Sequence, residues 1–213
     1  MKTLNLVAAV AAALFAVPAF AQDTAGPSGP RVEARVGWDH VVISADYDDG
    51  VDSFEDSVSK SGVNYGVEAG YDIVSGNTLL GIYAGIEDSS TKECSEVLGE
   101  DRACLRSGRN ITVGGRVGFM ANPTSVVYVK GGYSNGRATV DYEDFEGIIE
   151  SGKVSKNLDG FHLGAGGEFG FGRPGLYGKL EYVYTNHGKA SIEVEDISAG
   201  AKLERHQVVA GVR

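Results

Sequence analysis

Beyond its first 21 residues the chain lacks an uncharged apolar run of the length, on the order of 18 residues, that a membrane-spanning helix needs. We therefore expect no helical membrane span in the mature part. Proline is also scarce, with 5 residues in 213, whereas 31 glycines and 42% hydrophobic residues do not fit a disordered chain. The composition predicts one folded domain.

The chain also has no cluster of basic residues. Its formal net charge is -10, and a nucleic-acid-binding protein must neutralise phosphates with grouped lysines and arginines. We therefore expect no nucleic-acid partner.

Cysteine is nearly absent as well, since the chain has only Cys94 and Cys104. They lie close together in a polar stretch, and in an exported chain such a pair is favoured to oxidise. We predict a disulfide that staples a loop. A metal-binding pair, which would lack further ligands, and a reactive thiol are the alternatives.

The N-terminal segment carries an export signal. Lys2 precedes an apolar stretch that ends in Ala19-Phe20-Ala21, the small-x-small pattern that a signal peptidase cleaves. We predict a signal peptide at 1–21, followed by a periplasmic N-terminal linker at 22–30. An uncleaved membrane anchor is the alternative, but Pro18 interrupts the apolar stretch.

The rest of the chain alternates with the period of two that indicates β-strands. In the first such segment Val32, Ala34, Val36 and Trp38 lie opposite Glu33, Arg35, Gly37 and Asp39. The alternating segments cover residues 32–39, 63–73, 80–87, 111–119, 127–134, 160–169, 176–184 and 204–213. An even number of strands is typical of bacterial outer-membrane barrels.

The connections between these segments alternate in length. Short turns are expected near 74–78, 120–125 and 171–175, and long polar loops near 43–61, 87–109, 135–157 and 186–203. Short turns at one end and long loops at the other are expected when the two ends of a barrel face the periplasm and the exterior.

The polar face of the strands distinguishes a membrane barrel from a soluble, lipocalin-like one, which would place its apolar face inside. It combines glycines with large charged residues of both signs, which suits a crowded lumen. These predicted lumen charges are Glu33, Arg35, Glu68, Arg116, Lys130, Glu168, Lys179, Glu181 and Arg205. The opposite face, rich in Val, Leu, Ile, Tyr and Phe, suits lipid. We predict an all-β fold, an eight-stranded antiparallel up-and-down transmembrane β-barrel at residues 31–213 in the outer membrane.

Catalytic and metal-binding patterns are weak. The four histidines are scattered, and the best catalytic grouping is His187 with Ser191 and Glu193 in the last long loop. The acidic stretch 46–52 partly matches a calcium loop, but its glycine comes one residue early for the EF-hand spacing. We predict no catalytic residue, no cofactor and no metal site.

Four segments carry a resemblance to a known family. The chain resembles the small opacity-type porins, relatives of the OmpA-like eight-stranded barrel. The matching segments are Arg31 to Asp39, Tyr128 to Tyr133, Leu158 to Phe161 and Arg205 to Val212. The resemblance implies a monomeric or weakly associating barrel of the Gram-negative outer membrane, inserted by the barrel assembly machinery. It also implies roles in envelope integrity, surface interaction or limited solute passage.

Two functional hypotheses follow from the lumen. Eight strands leave an interior that side chains can fill, which favours a plugged barrel with a structural and surface-interaction role. Its partners would be outer-membrane lipid and lipopolysaccharide, and host or surface ligands through the loops. The alternative is a narrow porin for small solutes, and a lipid-modifying enzyme is a third hypothesis.

Overall fold

The computed structural model describes residues 27–48, 53–97, 101–143, 152–173, 175–194 and 197–213. The predicted signal peptide, most of the predicted linker, and Asp49 to Asp52 of the acidic stretch lie outside this part. Among the described residues no helix is long and apolar enough to cross a membrane.

The described residues form β-strands joined by turns. The strands are β1 (Gly29–Asp48), β2 (Ser53–Ser75), β3 (Thr78–Ser89), β4 (Lys92–Val97), β5 (Asp101–Asn122), β6 (Ser125–Glu143), β7 (Gly152–Gly170), β8 (Tyr177–Val194) and β9 (Ile197–Val212). A tight turn joins β2 to β3, and there Gly76 has a φ of 58°, a left-handed conformation that glycine adopts without steric cost.

The strands close into an antiparallel barrel. Each strand except β3 pairs with the next along the chain, β3 pairs with β5, and β1 pairs with β9. Because β4 pairs only with β5 among the described strands, the wall has eight strands: β1, β2, β3, β5, β6, β7, β8 and β9. The predicted all-β, eight-stranded antiparallel barrel is confirmed.

β4 continues the line of β3 after a short interruption. Pairing of β3 with β5 ends at Glu87–Asn110 and resumes at Lys92–Arg106 in β4. Between them, the amide of Ser90 donates to the carbonyl of Val63 (2.9 Å), and the amide of Ser107 donates to the carbonyl of Thr91 (3.1 Å). The chain therefore stays attached to both neighbouring strands across the break.

The strands extend further than the alternating segments. β1 and β2 pair as far as Asp48 and Ser53, so most of the long loop expected near 43–61 is strand. The same holds near 87–109, 135–157 and 186–203, where β4 to β9 occupy much of the expected loops. An alternating pattern appears only where one strand face is apolar, so strands that are polar on both faces do not show it.

The two faces of the barrel wall differ sharply in chemistry. Large apolar side chains such as Ile82, Val129 and Leu163 point outward and are more than half exposed. A small apolar cluster inside the barrel, formed by Leu79, Met120, Val126 and Tyr128, is joined by the partly buried Val74. It lies at the end that carries the short turns. The rest of the interior is polar.

Candidate functional site

The charged interior of the barrel is the candidate site. All nine charged residues predicted from the sequence point inward, and each is at most 7% exposed. Alternation explains this placement, because residues two apart in a strand share a face. β1 thus directs Glu33 and Arg35 into the lumen, and β8 directs Lys179 and Glu181 there.

Five further charged residues belong to the same interior. Arg31, Asp39, Asp72 and Glu87 are at most 6% exposed, and the Arg213 side chain is 9% exposed. The first four share the inward parity of their strands, so the alternation could have identified them. Counted over the described residues, the lumen then holds seven carboxylates and seven cations. These fourteen are Arg31, Glu33, Arg35, Asp39, Glu68, Asp72, Glu87, Arg116, Lys130, Glu168, Lys179, Glu181, Arg205 and Arg213.

Glu68 accepts hydrogen bonds from three cations at the centre of the lumen. Arg31 Nη2 donates to Oε1 at 2.7 Å, while Arg35 Nη1 and Lys130 Nζ donate to Oε2 at 2.7 and 2.8 Å. These donors come from β1 and β6 and the acceptor from β2. One carboxylate therefore connects strands on different sides of the barrel.

Glu181 forms a second junction beside it. Its carboxylate accepts from Arg35 and Lys130, both at 3.2 Å, and from the Tyr128 hydroxyl at 2.7 Å, and it lies 3.3 Å from Lys179 Nζ. Arg35 and Lys130 thus each bridge Glu68 and Glu181. The two junctions form one continuous network.

The end of the lumen near the short turns is closed by arginines. Arg116 donates to both carboxylate oxygens of Asp72, at 2.9 and 2.6 Å, and also pairs with Glu168. The Arg213 guanidinium donates to the same two acids at 3.2 and 3.3 Å, and to the carbonyl of Pro27 at 2.9 Å. Both ends of the described chain therefore meet at this cluster.

The opposite part of the lumen contains a separate group. Arg205 donates to Asp39 at 3.2 and 2.9 Å and lies 3.6 Å from Glu87. Glu87 also accepts from the amides of Asn110 at 3.1 Å and Gln207 at 3.0 Å. A 3.9 Å approach of Arg35 to Glu87 links this group to the central network.

Glycines make room for these side chains. A Cβ at Gly81 would overlap Oδ1 of Asp72 and lie 3.1 Å from Cγ of Arg116. The Asp72–Arg116 pair therefore requires glycine on the neighbouring strand. This explains why large charged residues and glycines share the inward face.

The histidines do not form a catalytic site in the described part of the chain. His162 is 1% exposed and its ring nitrogens contact the Tyr83 hydroxyl and, at 2.9 Å, Ser134 Oγ. His187 is also 1% exposed, and its Nδ1 donates to the carbonyl of Leu158 at 3.2 Å. The side chains of Ser191 and Glu193, its predicted partners, lie outside the described part.

The two cysteines form a disulfide. Cys94 of β4 and Cys104 of β5 are paired in register, with Cα atoms 4.0 Å apart.

The side chains of the acidic stretch 46–52, which partly matches a calcium loop, lie outside the described part. Among the described residues no group of three or more His, Cys, Asp or Glu side chains is placed to hold a metal ion.

A closed antiparallel barrel with an apolar exterior and a charged, filled interior defines an outer-membrane β-barrel protein. The chain belongs to the outer membrane protein beta-barrel domain family, whose pattern it matches over residues 7–213. This places the protein in the outer membrane and is consistent with the OmpA-like resemblance. The comparison with curated proteins gave no match.

Several solved structures of outer-membrane proteins are similar to the chain at low sequence identity. The outer membrane protease OmpT from Escherichia coli is 11% identical, with 87% of this chain and 96% of that chain covered and a TM-score of 0.50. OprG from Pseudomonas aeruginosa is 13% identical, with coverage of 89% and 98% and a TM-score of 0.46. Ail of Yersinia pestis is 15% identical, with coverage of 85% and 99% and a TM-score of 0.39. At these identities the likeness concerns the fold alone.

Proposed function

We propose that this protein is a structural component of the outer membrane whose lumen is plugged and whose external end serves surface interaction. The ion-pair network of the lumen carries this proposal. Its members come from all eight wall strands, with Arg213 following directly after β9. Because the network connects all the wall strands, it both stabilises the wall and occupies the space inside it.

The energetics of buried charge support a closed lumen. A buried ion that loses its partner costs several kcal/mol, whereas a paired and hydrogen-bonded ion is tolerated. Because Arg35 and Lys130 each bridge Glu68 and Glu181, opening a path between the two carboxylates would separate both cations from at least one of them. A steady open channel is therefore disfavoured.

The external end supports the interaction role. The strands extend well beyond the apolar band, the belt of exposed apolar side chains on the outer face that includes Ile82, Val129 and Leu163. They reach the β1–β2 pair Asp48–Ser53 and the β4–β5 pair Val97–Asp101. The fourteen lumen charges sum to zero, so the net charge of -10 resides elsewhere in the chain. We propose lipopolysaccharide and surface ligands as partners of this end, and the barrel assembly machinery as the partner during insertion.

Planar-bilayer recording tests the plugged lumen. We expect the purified protein to give no steady channel, and Arg116→Gln to leave the Asp72 and Glu168 carboxylates under-compensated and to produce intermittent openings. Lys202→Gln, at a partly exposed position outside the lumen, is the matched control and should behave like the wild type. Steady wild-type channels whose conductance changes in Arg116→Gln would overturn the plug and favour the narrow porin.

The proposal contains no catalytic step. His187, the residue named for catalysis, is buried and donates to a backbone carbonyl, so it does not face lipid. Modified lipid A in cells that make the protein, lost on His187→Ala, would instead establish the lipid-modifying enzyme.

A further inference from the structure

Two histidines from opposite ends of the chain meet on the outer face of the barrel. β1 and β9 pair so that His40 lies directly opposite His206. Their ring centroids are 6.5 Å apart with a tilt of 44°. Each lies one outward position beyond a half-exposed apolar residue, Trp38 in β1 and Val208 in β9, toward the external end of the barrel. The pair is therefore at the membrane surface.

Each imidazole is oriented by a hydroxyl group. Nδ1 of His40 is 3.0 Å from Ser61 Oγ, and Nδ1 of His206 is 2.7 Å from the Tyr182 hydroxyl. A hydroxyl oxygen accepts as readily as it donates, so each Nδ1–H can donate to its neighbour. In that tautomer each Nε2 carries a lone pair, and within the described part of the chain neither Nε2 has a hydrogen-bond partner.

This is the arrangement of metal-binding histidines, in which one ring nitrogen binds the ion and the other donates to a neighbouring oxygen. Directly opposite residues have Cβ atoms about 4.5–5.5 Å apart. A metal–nitrogen distance of about 2.0–2.1 Å sets two imidazoles on one ion with centroids on the order of 5–6 Å apart. The observed centroid distance of 6.5 Å lies just above that range, so binding of one ion requires the two rings to move slightly closer.

An ordinary aromatic girdle accounts for only part of this surface. Trp38, Tyr182 and Tyr184 are residue types that line membrane interfaces. Two imidazoles in register, each with a hydroxyl on Nδ1, are not part of that pattern. The two Nε2 atoms are potential metal ligands, and they lie at the membrane surface, where ions from the exterior can reach them.

We infer that His40 and His206 chelate a divalent transition-metal ion of the class that prefers imidazole, such as Cu²⁺, Ni²⁺ or Zn²⁺, at the external surface of the membrane. The remaining coordination positions of the ion face outward. The inference is independent of the proposed function, because no lumen residue takes part.

The chain contains its own reporter for this site. Trp38 is the single tryptophan of the sequence, and its ring stacks on His40 with centroids 5.3 Å apart and planes 16° apart. Bound Cu²⁺ is paramagnetic and quenches a tryptophan at that range. Copper titration of the tag-free protein, folded in detergent micelles, therefore reads the site directly.

We expect saturable quenching at one Cu²⁺ per chain. Zn²⁺ should displace the copper and restore the fluorescence, whereas Mg²⁺, which prefers oxygen ligands, should not. His40→Gln and His206→Gln should each raise the dissociation constant at least about tenfold, and Tyr182→Phe by about tenfold through loss of orientation. His187→Gln, which removes a histidine inside the barrel, is the matched control and should leave the titration unchanged.

Quenching that is absent, or that His206→Gln leaves unchanged, would overturn the chelate. Electron paramagnetic resonance of the copper-loaded wild-type protein gives a second readout that does not depend on folding of the variants. Two equivalent nitrogen ligands are expected in its superhyperfine pattern, and a pattern with one nitrogen or none contradicts the inference.

Discussion

At the scale of single residues, the lumen is stabilised by the mutual compensation of charges that would each be costly alone. Glu68 is 1% exposed, yet three cationic side chains donate to its carboxylate within 2.8 Å. Such a group contributes little net stability relative to an apolar replacement of the whole network. Removing one partner, however, leaves the others buried without compensation.

Glu68→Gln is therefore expected to destabilise the folded barrel by about 3–5 kcal/mol, since it leaves Arg31, Arg35 and Lys130 short of a negative charge. Urea unfolding in detergent, followed by far-ultraviolet circular dichroism, measures the change. Glu204→Gln is the control. Glu204 pairs with Lys202 at 3.0 Å outside the lumen, and the side chains are 24% and 42% exposed, so its loss should cost about 1 kcal/mol or less. Equal losses in the two variants would contradict the role given to Glu68.

The same residues show what the sequence could predict of the site. Nine inward charges follow from alternation, because each lies in a strand whose opposite face is apolar. Their partners do not follow, since Arg35 and Glu181 are 146 residues apart and meet only when the barrel closes. The His40–His206 pair was missed for the same reason, because it requires the first and last strands to join.

At the scale of elements, predictability depends on the surroundings of each strand. The alternation of β1 from Val32 to Asp39 is clear because lipid lies on one side and the packed lumen on the other. Beyond the apolar band both faces are polar, and the strands continue without that signal. β4 is the extreme case, since its six residues show no apolar face and it was expected to be loop.

β4 is also the element that depends most on a covalent link. It pairs only with β5 among the described strands, and Cys94–Cys104 crosses that pairing with a sequence separation of 10. Closing a loop of that size stabilises the hairpin by about 2–3 kcal/mol in the chain-entropy account. The double variant Cys94→Ser and Cys104→Ser should therefore release β4 from β5 and leave the barrel wall intact.

Amide hydrogen exchange with mass-spectrometric readout measures this release. We expect faster exchange in β4 (Lys92–Val97) of the double variant, while β6 from Val127 to Tyr133 keeps its wild-type protection because eight-stranded closure does not involve β4. Wild-type protein treated with reductant should match the variant. Loss of protection in both regions would show that the disulfide holds the barrel itself.

At the scale of the whole molecule, the barrel wall separates two surroundings of opposite character, lipid outside and charged side chains inside. The outward side chains of the apolar band would form an unusually large exposed patch on a soluble protein, while the inward ones form a neutral set of seven carboxylates and seven cations among the described residues. Fold, membrane location and charged interior are therefore one consequence of a single alternation. The cost of a charge on the outer face should accordingly depend on its depth in the membrane.

A pair of matched valines tests this depth dependence. Val129, 55% exposed on the outer face of β6, lies within the apolar band, whereas Val42 of β1 points outward just beyond His40 at the membrane surface. Val129→Arg should destabilise the barrel in lipid bilayers by about 2–4 kcal/mol, and Val42→Arg by about 0–1 kcal/mol. Guanidinium titration of folding into phosphatidylcholine vesicles measures both changes in folding free energy. The folded fraction is read on a gel, where a folded barrel that has not been boiled migrates differently from the boiled, unfolded protein. Because the same arginine is introduced in each case, similar losses in the two variants would contradict the membrane position assigned to the band.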